Sequence, residues 1–392
     1  MKLMLVTAIR PDYIRLAPLI EKLDKEPNIE LILVHSGQQY HPKMYDVFLK
    51  ELNIRKPDFD LEAGKDLVRK GPYDYVDLIN LINRRLCDLI RKVRPSVIGY
   101  LGDTNSTVSS FIAARELVPI FRVESGMRSF DWSTPEEKNR IIADHMASFN
   151  FAYLQTNRDN LIAEGIPDYR IQTVGNTIVE VINKHAPSMS EPYKGDKYIY
   201  STIHREENTA DPIRFKDILD QLNQISERDH RVVLPLIPSA KRRAESLGDY
   251  RKIWNCIDFV EPLSFFESIK CQIEAEYVIS DSGSISEETS ILGTPCLIVR
   301  QSTERSEVLE CGGALMEDTN GSLIDTYYYS LKDIKKKSWR HRLGDGQTSS
   351  RIVNTLKALD ANDFFKDSRK MDWIASSNRI KRSMGELTFD VF

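Results

Sequence analysis

The sequence lacks the features that mark several specialised classes of protein. It has only five cysteines among 392 residues, and none of them forms a C-x-x-C pair. This argues against a disulfide scaffold and against a structural zinc site, so we expect reduced thiols. No stretch approaches the ~20 consecutive apolar residues of a membrane span. The apolar run that follows Met1 is closed by Arg10 and is too short for a secretory signal. We expect a cytoplasmic protein with no membrane association.

Charge and nucleotide motifs are also sparse. The net charge is -4, whereas proteins that bind nucleic acids broadly present a basic surface. The one basic run, at Leu331–Arg342, is more typical of a solvated helix face than of nucleic-acid contact. No G-x-G-x-x-G follows a predicted strand, and no G-x-x-x-x-G-K-[ST] is present. A dinucleotide and ATP therefore lack their usual sites, and we expect no cofactor and no metal.

The sequence does contain short apolar runs that alternate with helical patterns. Such alternation is typical of parallel sheets covered by helices on both faces. A polar segment rich in proline interrupts the pattern at residues 185–197, after which it restarts. The runs predicted to be strands are Leu3–Thr7, Leu31–His35, Val97–Leu101, Ile120–Val123, Phe151–Leu154, Tyr198–Ile203, Arg231–Pro235, Ile257–Val260, Tyr277–Ser280 and Pro295–Val299.

This organisation predicts an α/β protein with two doubly wound, Rossmann-like domains. The first is expected at residues 1–184 and the second at 198–365, joined by a linker at 185–197 and followed by a partly helical tail at 366–392. Open parallel sheets bind ligands at the carboxyl ends of their strands. Two such domains facing each other would place the functional site in the cleft between them.

Charged residues follow several predicted strands of the first domain. Arg10 could donate two hydrogen bonds to a phosphate, or it could be a surface arginine in an ordinary turn. Asp103 is either a carboxylate of the cleft or the N-cap of the next helix. Glu124 follows an apolar strand with no packing reason for a carboxylate, whereas Glu136 and Glu137 could merely favour a helix N-terminus. Clustered carboxylates raise one another's pKa, which suits general acid–base catalysis.

Charged residues also follow strands of the second domain. His204 and Arg205 come directly after its first strand and could stabilise a departing diphosphate, or they could form a capped turn. Arg305 lies in a further charged loop, Thr303–Glu307. By themselves these signals are weak, and they gain weight only if they face the carboxylates of the first domain.

The strongest physical signal is a run of small residues that opens a helix after strand Tyr277–Ser280. Ser282, Gly283 and Ser284 would let backbone amides approach a phosphate, and the positive end of the helix dipole would favour its charge. Glu288, one turn further on, could accept hydrogen bonds from ribose hydroxyls. The pattern predicts a nucleotide site on the second domain.

Taken in order, these motifs resemble those of the non-hydrolysing UDP-N-acetylglucosamine 2-epimerases. Counterparts of G-T-R-P-E, G-D-T, V-E-A-G-x-R-[ST], P-E-E-x-N-R, H-R-x-E-N, D-S-G-x-x-x-E-E and E-R-P-E lie between Lys2 and about Gly313. The resemblance implies a glycosyltransferase-B-like architecture with a UDP-linked amino sugar bound between the domains. It implies a reaction in which UDP and the C2 proton leave together, giving a 2-acetamidoglycal, and UDP then adds back. Because the leaving group departs, no oxidation is needed.

The resemblance also assigns roles to individual residues. It implies that Asp103, Glu124, Glu136 and His204 are catalytic. The residues expected to bind UDP are Arg10, Arg140, Arg205, Ser282, Gly283, Ser284, Glu288 and Arg305. Members of the family are commonly dimers, so a homodimer is expected.

Departures from the family patterns leave the substrate open. The first motif lacks its Gly-Thr, and Ser306 replaces the proline of the last. Ile237 and Gln39 stand where many members have histidines, and the first of these histidines belongs to a second, activating UDP-GlcNAc site. The motifs around Asn105 and Ile285 are similar to those of enzymes that act on UDP-6-deoxy-L-hexosamines. The remaining alternatives are a retaining glycosyltransferase, a hydrolysing 2-epimerase and a regulatory protein that binds UDP-sugars.

Overall fold

The computed structural model describes residues 1–39, 42–189, 196–317 and 324–367. Within these residues it has two sheets, both entirely parallel. The strands are β1 Lys2–Thr7, β2 Glu30–His35, β3 Phe59–Asp60, β4 Val97–Leu101, β5 Ile120–Ser125, β6 Phe149–Ala152, β7 Ile171–Thr173, β8 Tyr198–Thr202, β9 Arg231–Pro235, β10 Ile257–Val260, β11 Tyr277–Ser280, β12 Cys296–Val299 and β13 Ala314–Glu317.

Helices connect successive strands along most of the described chain. Three short 3-10 helices, at Asn105–Ser109, Asp168–Arg170 and Ala186–Met189, accompany them. The α-helices are α1 Arg10–Asp24, α2 Pro42–Glu51, α3 Ala63–Lys70, α4 Tyr75–Val93, α5 Ser110–Arg115, α6 Pro135–Met146, α7 Gln155–Ala163, α8 Thr177–His185, α9 Glu206–Thr209, α10 Pro212–Arg228, α11 Pro238–Ser246, α12 Tyr250–Ile253, α13 Phe265–Glu274, α14 Gly283–Leu292, α15 Glu307–Glu310, α16 Ile324–Leu331, α17 Thr348–Ala361 and α18 Phe364–Asp367.

Each sheet is doubly wound. The first has the strand order β3-β2-β1-β4-β5-β6-β7, and the second has the order β10-β9-β8-β11-β12-β13. In both, the chain starts in the middle, runs to one edge and returns to the other side of its first strand. The order therefore reverses between β1 and β4 and between β8 and β11, where open α/β sheets form a ligand crevice. The predicted fold class is confirmed.

The structure corrects several predicted element boundaries. The strand expected at Phe151–Leu154 is β6, which begins two residues earlier and ends at Ala152. Between β4 and β5, where the pattern predicts a helix at Ser106–Leu117, the chain forms a 3-10 helix at Asn105–Ser109 before α5. Strands β3, β7 and β13 were not predicted, because strands of two to four residues at the sides of a sheet have no long apolar run to mark them.

The hydrophobic core links the end of the chain to its beginning. Ile352, Leu356 and Leu359 of α17 are buried in the same core as Leu3 and Leu5 of β1. The last helices of the predicted second domain thus pack on the first sheet. Residues 190–195 of the predicted linker and residues 368–392 of the predicted tail lie outside the described residues, and the division into domains stays a prediction. The cysteines all carry free thiols. Among the described helices, none combines the length and apolar composition that a membrane span requires.

Candidate active site

In the turn between β1 and α1, the backbone amides donate hydrogen bonds to side chains of the first domain. The Asp12 carboxylate accepts hydrogen bonds from the amides of Ala8 at 2.8 Å and Ile9 at 3.2 Å. The side-chain oxygen of Gln39 accepts one from the amide of Arg10 at 2.9 Å. Because these amides already have partners, this turn has little capacity left to bind a phosphate through its backbone.

The side chain of Arg10 faces the second domain. Its guanidinium lies 4.4 Å from the centre of the Phe48 ring. Burial lowers the pKa of Arg10, and the negative charge of Glu288 on α14 opposes that effect. Arg10 therefore remains a cation placed between the two domains, as its predicted UDP-binding role requires.

Asp103 follows β4 and pairs with Arg140 of α6. Its carboxylate accepts hydrogen bonds from the Nε and Nη2 atoms of Arg140 at 2.9 and 2.5 Å. Thr104, not Asp103, is the N-cap residue of the following 3-10 helix, so the capping alternative for Asp103 is wrong. Burial raises the pKa of Asp103, but the positive charges of Arg140 and Arg305 outweigh it and lower the pKa. The expectation that clustered carboxylates raise one another's pKa therefore does not hold for Asp103.

Glu124 lies at the end of β5 in an unusual backbone conformation. Its φ is 68°, and the register between β5 and β6 shifts between Val123 and Ser125. Bulges and left-handed residues of this kind often direct a side chain into a functional site. The carboxylate is buried, and burial raises its pKa, while the charges of Arg15 and Arg305 oppose the rise. Glu124 is therefore better able than Asp103 to hold a proton near neutral pH.

The two acidic residues at the start of α6 have different environments. Glu137 is buried and accepts hydrogen bonds from the amides of Ser129 and Phe130 at 3.1 and 3.0 Å, and from Arg140 at 2.7 Å. Glu136 is exposed. Burial lowers the pKa of Arg205, and the negative charge of Glu136 acts in the opposite direction. Glu137 thus fixes the loop before α6, while Glu136 is free to face the second domain.

Asp281, which the sequence analysis did not single out as a site residue, organises the first turn of the second domain. Its carboxylate accepts hydrogen bonds from the amides of His204 and Arg205, both at 2.9 Å, and from the side chain of Asn208 at 3.2 Å. Its other oxygen lies 3.2 Å from Nδ1 of His204. That oxygen makes no hydrogen bond to the ring, so Asp281 holds the turn through the two backbone amides and places a negative charge beside the imidazole. The only earlier signal was that Asp281 opens the D-S-G motif.

The N-terminus of α14 differs from that of α1. Its N-cap residue, Ser282, makes no side-chain capping hydrogen bond, and α14 begins at Gly283. A Cβ atom at Gly283 would lie 2.6 Å from Nη1 of Arg305. An alanine here would therefore require the Arg305 guanidinium to move. Ser284, the next residue, accepts a 3.5 Å hydrogen bond from Arg15 of the first domain.

Glu288 is buried one turn further along α14. Gln272 of α13 donates a hydrogen bond to its carboxylate at 2.6 Å. Burial raises the pKa of Glu288 to about 7, although the hydrogen bond from Gln272 and the charge of Arg10 act in the opposite direction. Its predicted role as a ribose ligand stays a prediction.

Ion pairs join the two domains directly at the site. Arg305, which follows β12, lies 3.3 Å from Glu124 of the first domain and 3.1 Å from Glu287 of α14. Arg15 of α1 bonds to Glu287 and lies 3.7 Å from Glu124. The sequence analysis predicted Arg305 and Glu124 as site residues but not Arg15 or Glu287. Glu287 lies in the D-S-G-x-x-x-E-E motif but was given no role there, and no local pattern distinguishes Arg15 from a surface residue of a helix.

Comparison with known proteins agrees with this geometry. A family model described as UDP-N-acetylglucosamine 2-epimerase matches residues 21–357. The chain is 33% identical over 371 residues to the UDP-N-acetylglucosamine 2-epimerase of Methanocaldococcus jannaschii. The aligned region covers 91% of this chain and 99% of that relative. The chain belongs to the UDP-N-acetylglucosamine 2-epimerase family.

Solved structures of family members share the architecture. A crystal structure of the Methanocaldococcus jannaschii UDP-GlcNAc 2-epimerase in complex with UDP-GlcNAc and UDP superposes with a TM-score of 0.83 at 29% identity, covering 91% of this chain and 100% of that one. The UDP-2,3-diacetamido-2,3-dideoxy-D-glucuronate 2-epimerase of Pseudomonas aeruginosa is 31% identical over 92% of this chain and 100% of that relative. The predicted enzyme class, an isomerase of the epimerase type, is confirmed. The roles of single residues, the homodimer and the cytoplasmic location stay predictions.

Substituting Gly283→Ala tests whether the contact of Arg305 with Glu124 is needed for turnover. The added Cβ would displace the Arg305 guanidinium from Glu124, so we expect turnover to fall by about tenfold or more, as when a transition-state contact is lost. The melting temperature and the kinetics should be measured together. Turnover near that of the wild type would show that the contact between Arg305 and Glu124 is not needed.

Proposed function

We propose that this chain epimerises a UDP-linked 2-acetamido sugar at C2 by eliminating UDP and adding it back, as in the conversion of UDP-N-acetylglucosamine to UDP-N-acetylmannosamine. The observation that carries the proposal is the meeting of Glu124 from one domain with Arg305 from the other, beside the uncapped start of α14. The reaction requires a group that exchanges a proton at C2 and an anion site for the diphosphate at C1. Glu124 comes close to the start of α14, through Arg305, only because the two domains face each other.

The proposed chemistry assigns each domain one part of the elimination. The bond from C1 to the diphosphate oxygen breaks, and its electrons leave with UDP, which the helix start at Ser282 and the cations Arg10 and Arg205 stabilise. The C2 proton passes to a carboxylate of the first domain, and a double bond forms between C1 and C2. Re-addition of UDP with proton delivery to the other face completes the epimerisation.

Two carboxylates with different environments support proton exchange on two faces of one intermediate. The charges of Arg140 and Arg305 favour the ionised form of Asp103, whereas burial favours the protonated form of Glu124. Pairs of acids whose pKa values are pushed apart commonly divide the roles of base and acid. We assign proton exchange to Asp103, Glu124 and Glu136, and stabilisation of the diphosphate to His204, whose backbone amide donates a hydrogen bond to Asp281.

A single incubation tests the proposal against its alternatives. UDP-N-acetylglucosamine, and separately a UDP-6-deoxy-L-hexosamine, is incubated with the protein in D2O and followed by proton NMR without added nucleotide or metal. The 2-epimer carrying deuterium at C2 is the expected product, because a carboxylate exchanges its proton with solvent. Free sugar with UDP would identify a hydrolysing enzyme, reaction only with an added acceptor would identify a glycosyltransferase, and no change with either sugar would contradict the proposal.

The proposed catalytic roles predict a specific pattern among variants. Asp103→Asn, Glu124→Gln, Glu136→Gln and His204→Asn should each lower turnover by about 100-fold or more while UDP still binds. The first three remove acid–base groups, and the last removes a group that stabilises the charge of the departing diphosphate. Ser282→Ala and Glu288→Ala should instead weaken UDP binding, measured by calorimetry. Glu137→Gln should perturb the loop before α6 and lower the melting temperature, in contrast to its exposed neighbour Glu136. Near-normal turnover in the first set would refute the assignments.

An activating second UDP-sugar should be dispensable. Ile237 packs against the hydrophobic core of the second sheet, and Gln39 already bonds to the amide of Arg10. Neither side chain is therefore placed to replace a lost histidine, and loss of one charge-assisted hydrogen bond costs ~1.5–3 kcal/mol. Kinetics started from UDP-N-acetylmannosamine alone should be hyperbolic. A lag that trace UDP-N-acetylglucosamine abolishes would contradict this expectation.

A further inference from the structure

Four buried side chains form a closed ring of alternating charge across the cleft. Glu287 bonds to Arg15 and lies 3.1 Å from Nε of Arg305. Both arginines also face Glu124, at 3.7 and 3.3 Å. Each of the four side chains is at most about one-tenth exposed, the largest value being 10% for Arg305. The ring therefore consists of two cations and two carboxylates with little access to water.

Each domain contributes one cation and one carboxylate to the ring. Arg15 and Glu124 belong to the first domain, and Arg305 and Glu287 belong to the second. Within the ring, the two contacts that cross the cleft are those of Arg15 with Glu287 and of Arg305 with Glu124. Arg15 hydrogen-bonds to Glu287, whereas its 3.7 Å approach to Glu124 is beyond hydrogen-bond distance. Because the two domains face each other, Arg15 has Glu287 of the second domain as a hydrogen-bond partner in place of Glu124.

We infer that Glu287 is a positioning residue that holds Arg15 and Arg305 in a shared arrangement and thereby keeps Glu124 able to both accept and return a proton. The inference rests on the proposed function, since it requires Glu124 to exchange the C2 proton. Asn176 of α8 supports the arrangement by donating a 2.8 Å hydrogen bond to Glu287 from the first domain. Glu287 therefore acts on the reaction through the two arginines and not through contact with the sugar.

The charges around Glu124 determine the direction of the effect. The groups that face it are Arg15 and Asp12 of α1, Asp103 after β4, Tyr153 after β6, Arg305 after β12 and Glu287 of α14. Burial raises the pKa of Glu124, Arg15 and Arg305 lower it, and Glu287 and Asp103 raise it further.

Removing the charge of Glu287 takes away one of the influences that raise the pKa of Glu124. It also leaves Arg15, and Arg305 beside its remaining partner Glu304, with less negative charge to share, so both would pair more fully with Glu124. Both changes lower the pKa of Glu124. A carboxylate held ionised by two arginines is a weaker base, and it is protonated less often, so it returns a proton less often.

The test compares Glu287→Gln and Glu287→Asp with the wild type in the full-length protein. The dependence of kcat/KM on pH is measured from each of the two epimers, and UDP affinity is measured by calorimetry. In Glu287→Gln we expect the limb that reports Glu124 to move to lower pH by about one unit and kcat to fall by about tenfold. UDP affinity should change by less than about threefold. Glu287→Asp keeps the charge but withdraws it by one methylene, so its shift should have the same direction and be smaller.

Glu180→Gln is a matched control. Glu180 is also a buried helical carboxylate, and it accepts a 2.6 Å hydrogen bond from the amide of Ser349, outside the ring. Its pH profile should match that of the wild type even if its stability falls. An unmoved limb in Glu287→Gln, or an equal shift in Glu180→Gln, would overturn the inference. If Glu287→Gln does not fold, the Glu287→Asp profile decides, and an unmoved limb there overturns it. A wild type that does not epimerise would instead refute the proposed function.

Discussion

The contact of Arg305 with Glu124 across the cleft is the interaction on which the rest of the site depends. Buried charges are costly unless each has a partner, and here the partners come from opposite domains. The glycine at the start of α14 leaves room for the Arg305 guanidinium, which a Cβ atom at residue 283 would displace. The same contact brings a carboxylate of one sheet beside the helix start of the other, so acid–base chemistry and anion binding share one small volume.

Two similar sheets acquire different roles through the chemistry of their first turns. In the first, Asp12 and Gln39 satisfy the backbone amides, and the turn presents the side chain of Arg10. In the second, Asp281 holds the turn that carries His204, while Ser282 leaves the start of α14 without a side-chain cap. The carboxylates proposed to exchange a proton lie on the first domain, and most of the residues predicted to bind UDP lie on the second, although the topology of the two sheets is closely alike.

Local pattern was sufficient for much of this description. Runs such as Val97–Leu101 and Tyr277–Ser280 are strands with the predicted ends, because a buried parallel strand is apolar throughout and is followed at once by polar residues. The motif residues could be predicted as one site because parallel strands all end at the same side of a sheet. Short outer strands such as β3 escaped prediction because two residues carry no period.

The sequence by itself determined the two-sheet architecture, the family and the positions of Asp103, Glu124 and His204 at strand ends. Only the tertiary structure decided which charges meet. Arg15 and Glu287 are 272 positions apart, and neither local sequence indicates that the two side chains pair. Their pairing, and the opposite pKa shifts of Asp103 and Glu124, depend on burial and on neighbours brought from the other domain. Those are properties of the folded chain, because an ion pair across a cleft depends on distance in space and leaves no periodic signal along the sequence.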